Sequence, residues 1–132
     1  MSNTKIVLDN FLTSLQKRDL DSMISLYAES VRWEIPGNTA DIKWLGKRSN
    51  HAEIKEFFQL LWSSTKPLDA QIHRVFIENE EVMIKGVFTT EMLETSKTVT
   101  SLFFIHFVVK EDKIVEYTLL EDSYSVSLSL QK

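Results

Sequence analysis

The chain has 132 residues, of which 43% are hydrophobic and 26% are charged, and it contains no cysteine. This length predicts a single domain over residues 1–132 that buries a core without disulfides, and the lack of cysteine excludes thiolate metal sites and cysteine nucleophiles. Fifteen basic against 19 acidic side chains give a net charge of −4, which argues against a nucleic acid partner.

The first half of the chain predicts three amphipathic helices, because apolar residues recur every three or four positions. The first covers about residues 4–17, and the other two begin after Asp19 and Asn50, whose side chains can cap a helix. Glu53, three residues after Asn50, indicates a capping box. The apolar faces are Leu8, Phe11, Leu12 and Leu15; Leu20, Met23, Ile24 and Tyr27; and Ile54, Phe57, Phe58, Leu61 and Trp62.

After Pro67 the apolar period changes to two, which predicts β-strands. Two short polar links between strands indicate antiparallel hairpins. Helices followed by strands predict an α+β fold, with three N-terminal helices packed on one face of a curved, mainly antiparallel sheet. The expected strands are a short run at Val31–Ile35 and longer ones at Ala70–Ile77, Val82–Met92, Thr98–Val109 and Ile114–Tyr124.

The strand at Thr98–Val109 is apolar on both faces. An antiparallel strand with one solvent-exposed face alternates more regularly, so its outer face also needs a cover. A second copy of the chain is the simplest cover, which predicts a homodimer through the outer sheet face. The alternative is an exposed apolar stripe of modest size. One face carries Phe103, Ile105 and Phe107, and the other carries Leu102, Phe104 and Val108.

The last strand places Tyr117, Leu119 and Glu121 on the face expected to meet the helices. A carboxylate at the end of an apolar face loses hydration, which raises its pKa and suits it to act as an acid or base. Glu121 is therefore the first catalytic candidate and Asp122 the second. The alternatives are a salt bridge at a rim or dimer interface for Glu121 and a turn cap for Asp122.

Three stretches together have a characteristic order and spacing. They are Leu26–Gly37, Trp44–Gly46 followed by Ile54 and Phe57–Phe58, and Asp112–Tyr117 followed by Asp122. In this order they resemble the nuclear transport factor 2 superfamily, which includes ketosteroid isomerase and the SnoaL-like polyketide cyclases. The resemblance implies a cone-shaped α+β barrel with an apolar pocket between sheet and helices, often dimerised through the outer sheet face.

Two mechanisms of this superfamily find no matching residues here. Ile35 stands where ketosteroid isomerase has its aspartate base, and Phe11 where it has its oxyanion tyrosine. The first strand would carry a base for this mechanism only if the neighbouring Glu34 faced inward. The Asp-Arg-Asp set of limonene epoxide hydrolase would fall near Gly86, Phe88 and Leu119, with no arginine on those strands.

The SnoaL-like cyclases are the better match, because they depend on an acid near the end of the last strand. The chain is thus expected to bind an apolar or aromatic small molecule, as a cyclase-like or isomerase-like enzyme or as a non-catalytic binding or assembly module of the same fold. No cofactor or metal is expected, since three scattered histidines form no metal-binding motif. The expected ligand-binding residues, which plain core packing would also explain, are Phe11, Trp33, Ile35, Phe58, Trp62, Phe103, Tyr117 and Leu119.

The sequence also lacks targeting signals. Its longest apolar run, Leu102–Val109, is far shorter than the about 20 residues of a membrane-spanning helix. Residues 1–15 contain polar side chains that interrupt any signal-peptide core. We therefore expect a cytoplasmic protein with no membrane partner.

Overall fold

The structure is a computed structural model that describes residues 3–132. Its described part has a helical first half and a β-rich second half that ends in a short helix. The helices are α1 (Thr4–Lys17), α2 (Leu20–Ser25), α3 (His51–Ser64) and α4 (Ser123–Ser129). The strands are β1 (Tyr27–Ile35), β2 (Gly46–Arg48), β3 (Thr65–Glu78), β4 (Glu81–Met92), β5 (Lys97–Lys110) and β6 (Lys113–Glu121).

The predicted helix starts are confirmed by their capping contacts. The Asp19 carboxylate accepts a hydrogen bond from the Ser22 backbone N–H at 3.2 Å. The Asn50 side chain accepts from the Glu53 N–H at 2.9 Å, while the Glu53 carboxylate accepts from the Ser49 N–H at 2.8 Å. These reciprocal bonds satisfy N–H groups that a helix leaves unpaired at its N-terminus, so they fix where α2 and α3 begin.

The six strands form one open sheet in the order β2-β1-β6-β5-β4-β3, with β2 and β3 at its edges. The four long strands β3 to β6 pair antiparallel with their neighbours, and β1 pairs parallel to β6. The predicted α+β class with a mainly antiparallel sheet is therefore confirmed. The sheet does not close on itself into a barrel.

Five details of the prediction are wrong. Tyr27 belongs to β1 rather than to a helix, because the chain pairs there with β6 and the Ile114 N–H donates to the Leu26 carbonyl at 2.8 Å. Strand β6 ends at Glu121 instead of Tyr124, since Asp122 caps α4. Helix α4 was not expected, so the helices number four among the described residues instead of three. The edge strand β3 is longer than predicted, and the short β2 was not predicted.

Strand β5 shows how the core is divided. Its residues alternate regularly, with Phe103, Ile105 and Phe107 buried and Leu102 and Phe104 exposed. The buried side chains face the helices, and we call this side of the sheet the inner face. The prediction of which β5 residues face inward is confirmed, and the same alternation continues on the neighbouring strands.

Candidate functional site

Glu121 lies on the inner face at the C-terminal end of β6. Its register partner on β5 is the buried Phe103, and it follows Tyr117 and Leu119 on the same side of the strand. The side chain is half-buried. Loss of hydration, followed by repulsion from the Asp122 charge, raises the pKa of Glu121 to about 7. A carboxyl group with this pKa can both donate and accept a proton near neutral pH.

Asp122, the second catalytic candidate, is engaged in a helix cap. Its carboxylate accepts from the Ser125 backbone N–H at 3.1 Å and from the Ser125 hydroxyl at 2.6 Å. These bonds lower the pKa of Asp122, so it remains ionised where Glu121 titrates. Asp122 is therefore the N-cap of α4, and Glu121 is the carboxyl group of the two with a raised pKa.

A cluster of aromatic rings fills the inner face beside β6. Trp33 of β1 stacks on Tyr117 of β6, with ring centroids 4.2 Å apart. Phe11 of α1 lies 6.0 Å from Tyr117, and Phe58 of α3 lies 5.9 Å from Trp33. The structure thus brings together four of the residues expected to bind a ligand, as a packed core between α1, α3 and the sheet.

The inner face is more exposed to solvent near Glu121 than at the aromatic cluster. Leu119 and Phe88 face inward but are only half-buried. The buried Phe103 lies against the Gly86 backbone, where an added Cβ would come within 2.6 Å of its ring. Phe103 therefore needs glycine at that position of β4. Trp62, on the last turn of α3, is also half-buried and packs on Phe58, with ring centroids 4.9 Å apart.

Surface depressions occur elsewhere in residues 3–132. One of about 270 Å³ is lined by α1 residues and by Asp112 and Lys113, and a wider one of about 670 Å³ lies between α4 and the start of β5. Neither is lined by any of the eight residues expected to bind a ligand. Of those eight, Ile35 is fully buried on β1.

The structure shows where the polar residues Glu34 and His73 lie. Glu34 alternates with the buried Trp33 and Ile35 and pairs with Thr118, whose own partner on β5 is His106. Glu34 therefore lies on the outer face and supplies no base to the inner one. His73 is exposed on β3.

The sequence analysis missed two residues with buried donors, Tyr27 on β1 and Arg48 on β2, and the donor role of Trp33 on β1. In residues 3–132, the buried side-chain nitrogen and oxygen atoms without a hydrogen-bond partner are Tyr27 Oη, Trp33 Nε1 and Arg48 Nε. Burial raises the pKa of Tyr27, so its hydroxyl keeps its proton. The sequence signal that could have located them is a cross-strand pair, Trp33 with Arg48, which requires knowledge of β2.

The outer face of the sheet exposes several large apolar side chains. Phe104 pairs with Leu120 of β6, and Met83 of β4 pairs with His106. Leu102 is 45% exposed and Phe76 of the edge strand is 62% exposed. These residues share the outer side of four adjacent strands, where Lys85 and His106 lie among them.

No helix in residues 3–132 is both long and apolar enough to cross a membrane. Within the same residues, no group of three or more His, Cys, Asp or Glu side chains could hold a metal ion.

A family model for the SnoaL-like domain matches residues 8–117. The match covers α1, α3, most of the sheet and the aromatic cluster, and it ends before Glu121. No curated protein sequence matches the chain.

Solved structures share the fold at low sequence identity. An NTF2-like protein from Burkholderia thailandensis superposes with a TM-score of 0.87 and 16% identity over all of both chains. TerC, co-crystallised with polyporic acid, superposes with a TM-score of 0.84 and 16% identity over 99% of this chain and 100% of that one. An LEH-like epoxide hydrolase from M. tuberculosis gives a TM-score of 0.71 and 15% identity over 94% and 86%. At such identities the similarity supports the fold alone.

Proposed function

Because the chain belongs to the SnoaL-like domain family, we propose that it binds an apolar or aromatic small molecule on the inner face of the sheet and exchanges a proton with it through Glu121. The observation that carries this proposal is the position of Glu121. It is a half-buried carboxyl group on an otherwise apolar face, and its pKa is about 7. Acid/base catalysis is most efficient when the pKa lies near the working pH.

The surroundings of Glu121 are consistent with an apolar ligand. Phe103, Leu119 and Phe88 border it on β4 to β6, and their inward faces offer carbon surface without charged groups. Among the similar structures, TerC was co-crystallised with polyporic acid, and another protein is an LEH-like epoxide hydrolase. Proteins of this fold therefore include one crystallised with an organic molecule and one enzyme.

A binding experiment with naphthalene tests the location of the site. In ¹H–¹⁵N NMR spectra we expect saturating naphthalene to shift the signals of Leu119, Tyr117 and the Trp33 indole N–H. The Trp44 indole, which lies outside the aromatic cluster, serves as the internal control. Shifts confined to residues of the outer face, or no shifts at all, would contradict an inner-face site.

Native mass spectrometry then tests the role of Glu121. Freshly purified Glu121→Gln protein should retain a small molecule whose mass differs from any retained by the wild type, because conversion stops when the proton-exchanging group is removed. The same retained molecule in both proteins would instead indicate binding without catalysis.

An assembly module of the same fold is the second candidate function. The observation in its favour is the close packing of Trp33 on Tyr117 at 4.2 Å, which fills the space that a ligand would use. This candidate predicts no response of the inner face to naphthalene. The NMR experiment therefore separates the two.

We also propose that two copies of the chain associate through the outer sheet face. The exposed apolar side chains of Leu102, Phe104 and Leu120 would be covered by the same surface of a second copy. Such isologous pairing is the most common form of oligomer. Burial of these side chains removes apolar area from water, which is the main driving force for association.

Light scattering tests the dimer through a single substitution. The wild type is expected at twice the monomer mass of 15.4 kDa, and Leu102→Lys at 15.4 kDa, because a buried unpaired ammonium is strongly unfavourable. Leu93→Lys is the matched control, since Leu93 is equally exposed but lies in the turn after β4. A wild-type mass of 15.4 kDa at micromolar concentration would refute the dimer.

A further inference from the structure

We infer that Tyr27, Trp33 and Arg48 form a subsite for the carbonyl oxygen of an elongated, ring-bearing ligand, an inference that rests on the proposed function of the inner face. Their Oη, Nε1 and Nε atoms are all hydrogen-bond donors, and all three are buried without a partner. No other side-chain atom in residues 3–132 is in this condition. We call these three residues the donor cluster.

The three residues are neighbours in the fold. Trp33 and Arg48 are register partners on β1 and β2, so their side chains lie on the same face. The Phe57 ring is 5.0 Å from the Trp33 ring and 5.8 Å from the Arg48 guanidinium carbon. The Tyr27 ring lies 5.5 Å from the Trp33 ring. The donor cluster therefore lies in one neighbourhood of the core, beside Phe57 of α3.

An acceptor without protons fits this region best. Native proteins pair the large majority of buried polar atoms, so three unpaired donors at one place call for an acceptor from outside the chain. A water molecule would bring two protons that need acceptors of their own, and the only acceptor among the three unpaired atoms is the Tyr27 hydroxyl oxygen. A carbonyl oxygen carries no proton and has two lone pairs, so it can accept from two of the three donors at once.

The charge at Arg48 favours a neutral acceptor. Its guanidinium donates to the Glu56 carboxylate at 3.0 Å and to the Glu53 backbone carbonyl at 2.6 Å. The Arg48 side chain is only 9% exposed, whereas Glu56 is 66% exposed and reaches the surface. Since Glu56 already balances the positive charge, a ketone or aldehyde oxygen suits the subsite better than a carboxylate.

The position of Glu121 sets the length of the ligand. Trp33 pairs with Tyr117, which precedes Glu121 by four residues on the same face of β6. At about 3.3 Å per residue the two positions are about 13 Å apart along the strand. A ligand that reaches both must be elongated, with its carbonyl at the donor cluster and its reacting carbon at Glu121. Its rings would separate Trp33 from Tyr117.

Two probes of equal shape test the subsite. We compare 2-acetylnaphthalene with 2-isopropenylnaphthalene, in which a CH₂ group replaces the carbonyl oxygen. The wild type is expected to bind the ketone about tenfold more tightly than the hydrocarbon, the effect of one good buried hydrogen bond. Tyr27→Phe should reduce this preference, because it removes the hydroxyl that would donate to the carbonyl oxygen.

A control variant, Tyr124→Phe, and a second test variant, Arg48→Lys, accompany Tyr27→Phe. Tyr124→Phe makes the same change at a tyrosine that is 73% exposed, and it should preserve the preference for the ketone. Arg48→Lys replaces the unpaired Nε with a methylene group and keeps the positive charge, and it should also reduce the preference for the ketone. If both probes bind equally to the wild type, or if the preference survives in Tyr27→Phe and Arg48→Lys, the subsite is refuted and the apolar site remains. If neither probe binds, the proposed function fails as well.

Discussion

Replacing Glu121 by glutamine should raise the free energy of unfolding by about 3 kcal/mol at pH 8 and leave it unchanged at pH 4. In the folded protein the pKa of Glu121 is about 7, against an ordinary value of 4.5. Between these values the folded state holds a proton that the unfolded state has lost, so the wild type loses stability as the pH rises from 4.5 to 7. Glutamine carries no charge and escapes this loss.

Urea unfolding between pH 4 and pH 8 measures the difference. The advantage of Glu121→Gln should grow through this interval and level off above pH 7. Glu29→Gln is the matched control, because Glu29 is exposed on β1 and its neutralisation releases no buried charge. A stability difference between wild type and Glu121→Gln that is the same at pH 4 and pH 8 would show that Glu121 is solvated like an ordinary surface carboxylate.

Phe11→Ala should lower the free energy of unfolding by about 4 kcal/mol. The Phe11 ring is fully buried and packs 5.3 Å from Phe107 on β5 and 6.0 Å from Tyr117 on β6. Its loss removes the contact through which α1 covers the inner face, and the rigid sheet beneath cannot collapse to fill the cavity. Chemical denaturation at constant pH measures the loss.

Phe76→Ala provides the comparison for the same chemical change. Phe76 is 62% exposed on the outer face of the edge strand, so its truncation should cost less than about 1 kcal/mol in the monomer. Equal losses in the two variants would contradict the assignment of Phe11 to the core between α1 and the sheet. The comparison also separates the inner face from the surface proposed for the dimer.

The inward position of Glu121 could be predicted because strand alternation is a local property. Once Tyr117 and Leu119 are assigned to the core face, the period of two places Glu121 there as well. The helix caps at Asp19 and Asn50 were equally predictable, since a capping side chain bonds to the backbone only a few residues away.

Other features depended on contacts between distant parts of the chain. Tyr27 has helical spacing with Met23 and Ile24, yet pairing with β6 draws it into a strand. Helix α4 has the sequence SYSVSLS, whose strict alternation is typical of a strand, and only the Asp122 cap reveals a helix. The cross-strand pair of Trp33 and Arg48 requires the three-residue strand β2, which is too short to recognise by periodicity.

Ring packing also lies beyond the sequence pattern. Apolar spacing identified Phe11, Trp33, Phe58 and Tyr117 as inward residues, and the structure brings them together. Whether such side chains leave a cavity depends on their rotamers and on the distance between helix and sheet. A change in that distance smaller than one ring is enough to open or close a cavity, and the sequence pattern does not determine it.

A direct titration of the Glu121 side chain tests the central claim, that a carboxyl group on the inner face exchanges a proton near neutral pH. The ¹³C signal of its carboxyl carbon can be followed by NMR from pH 3 to pH 9 and assigned by its loss in Glu121→Gln. We expect a midpoint at about pH 7. A midpoint near pH 4.5 would mean that water reaches the carboxylate freely, and the acid/base role assigned to it would have to be abandoned.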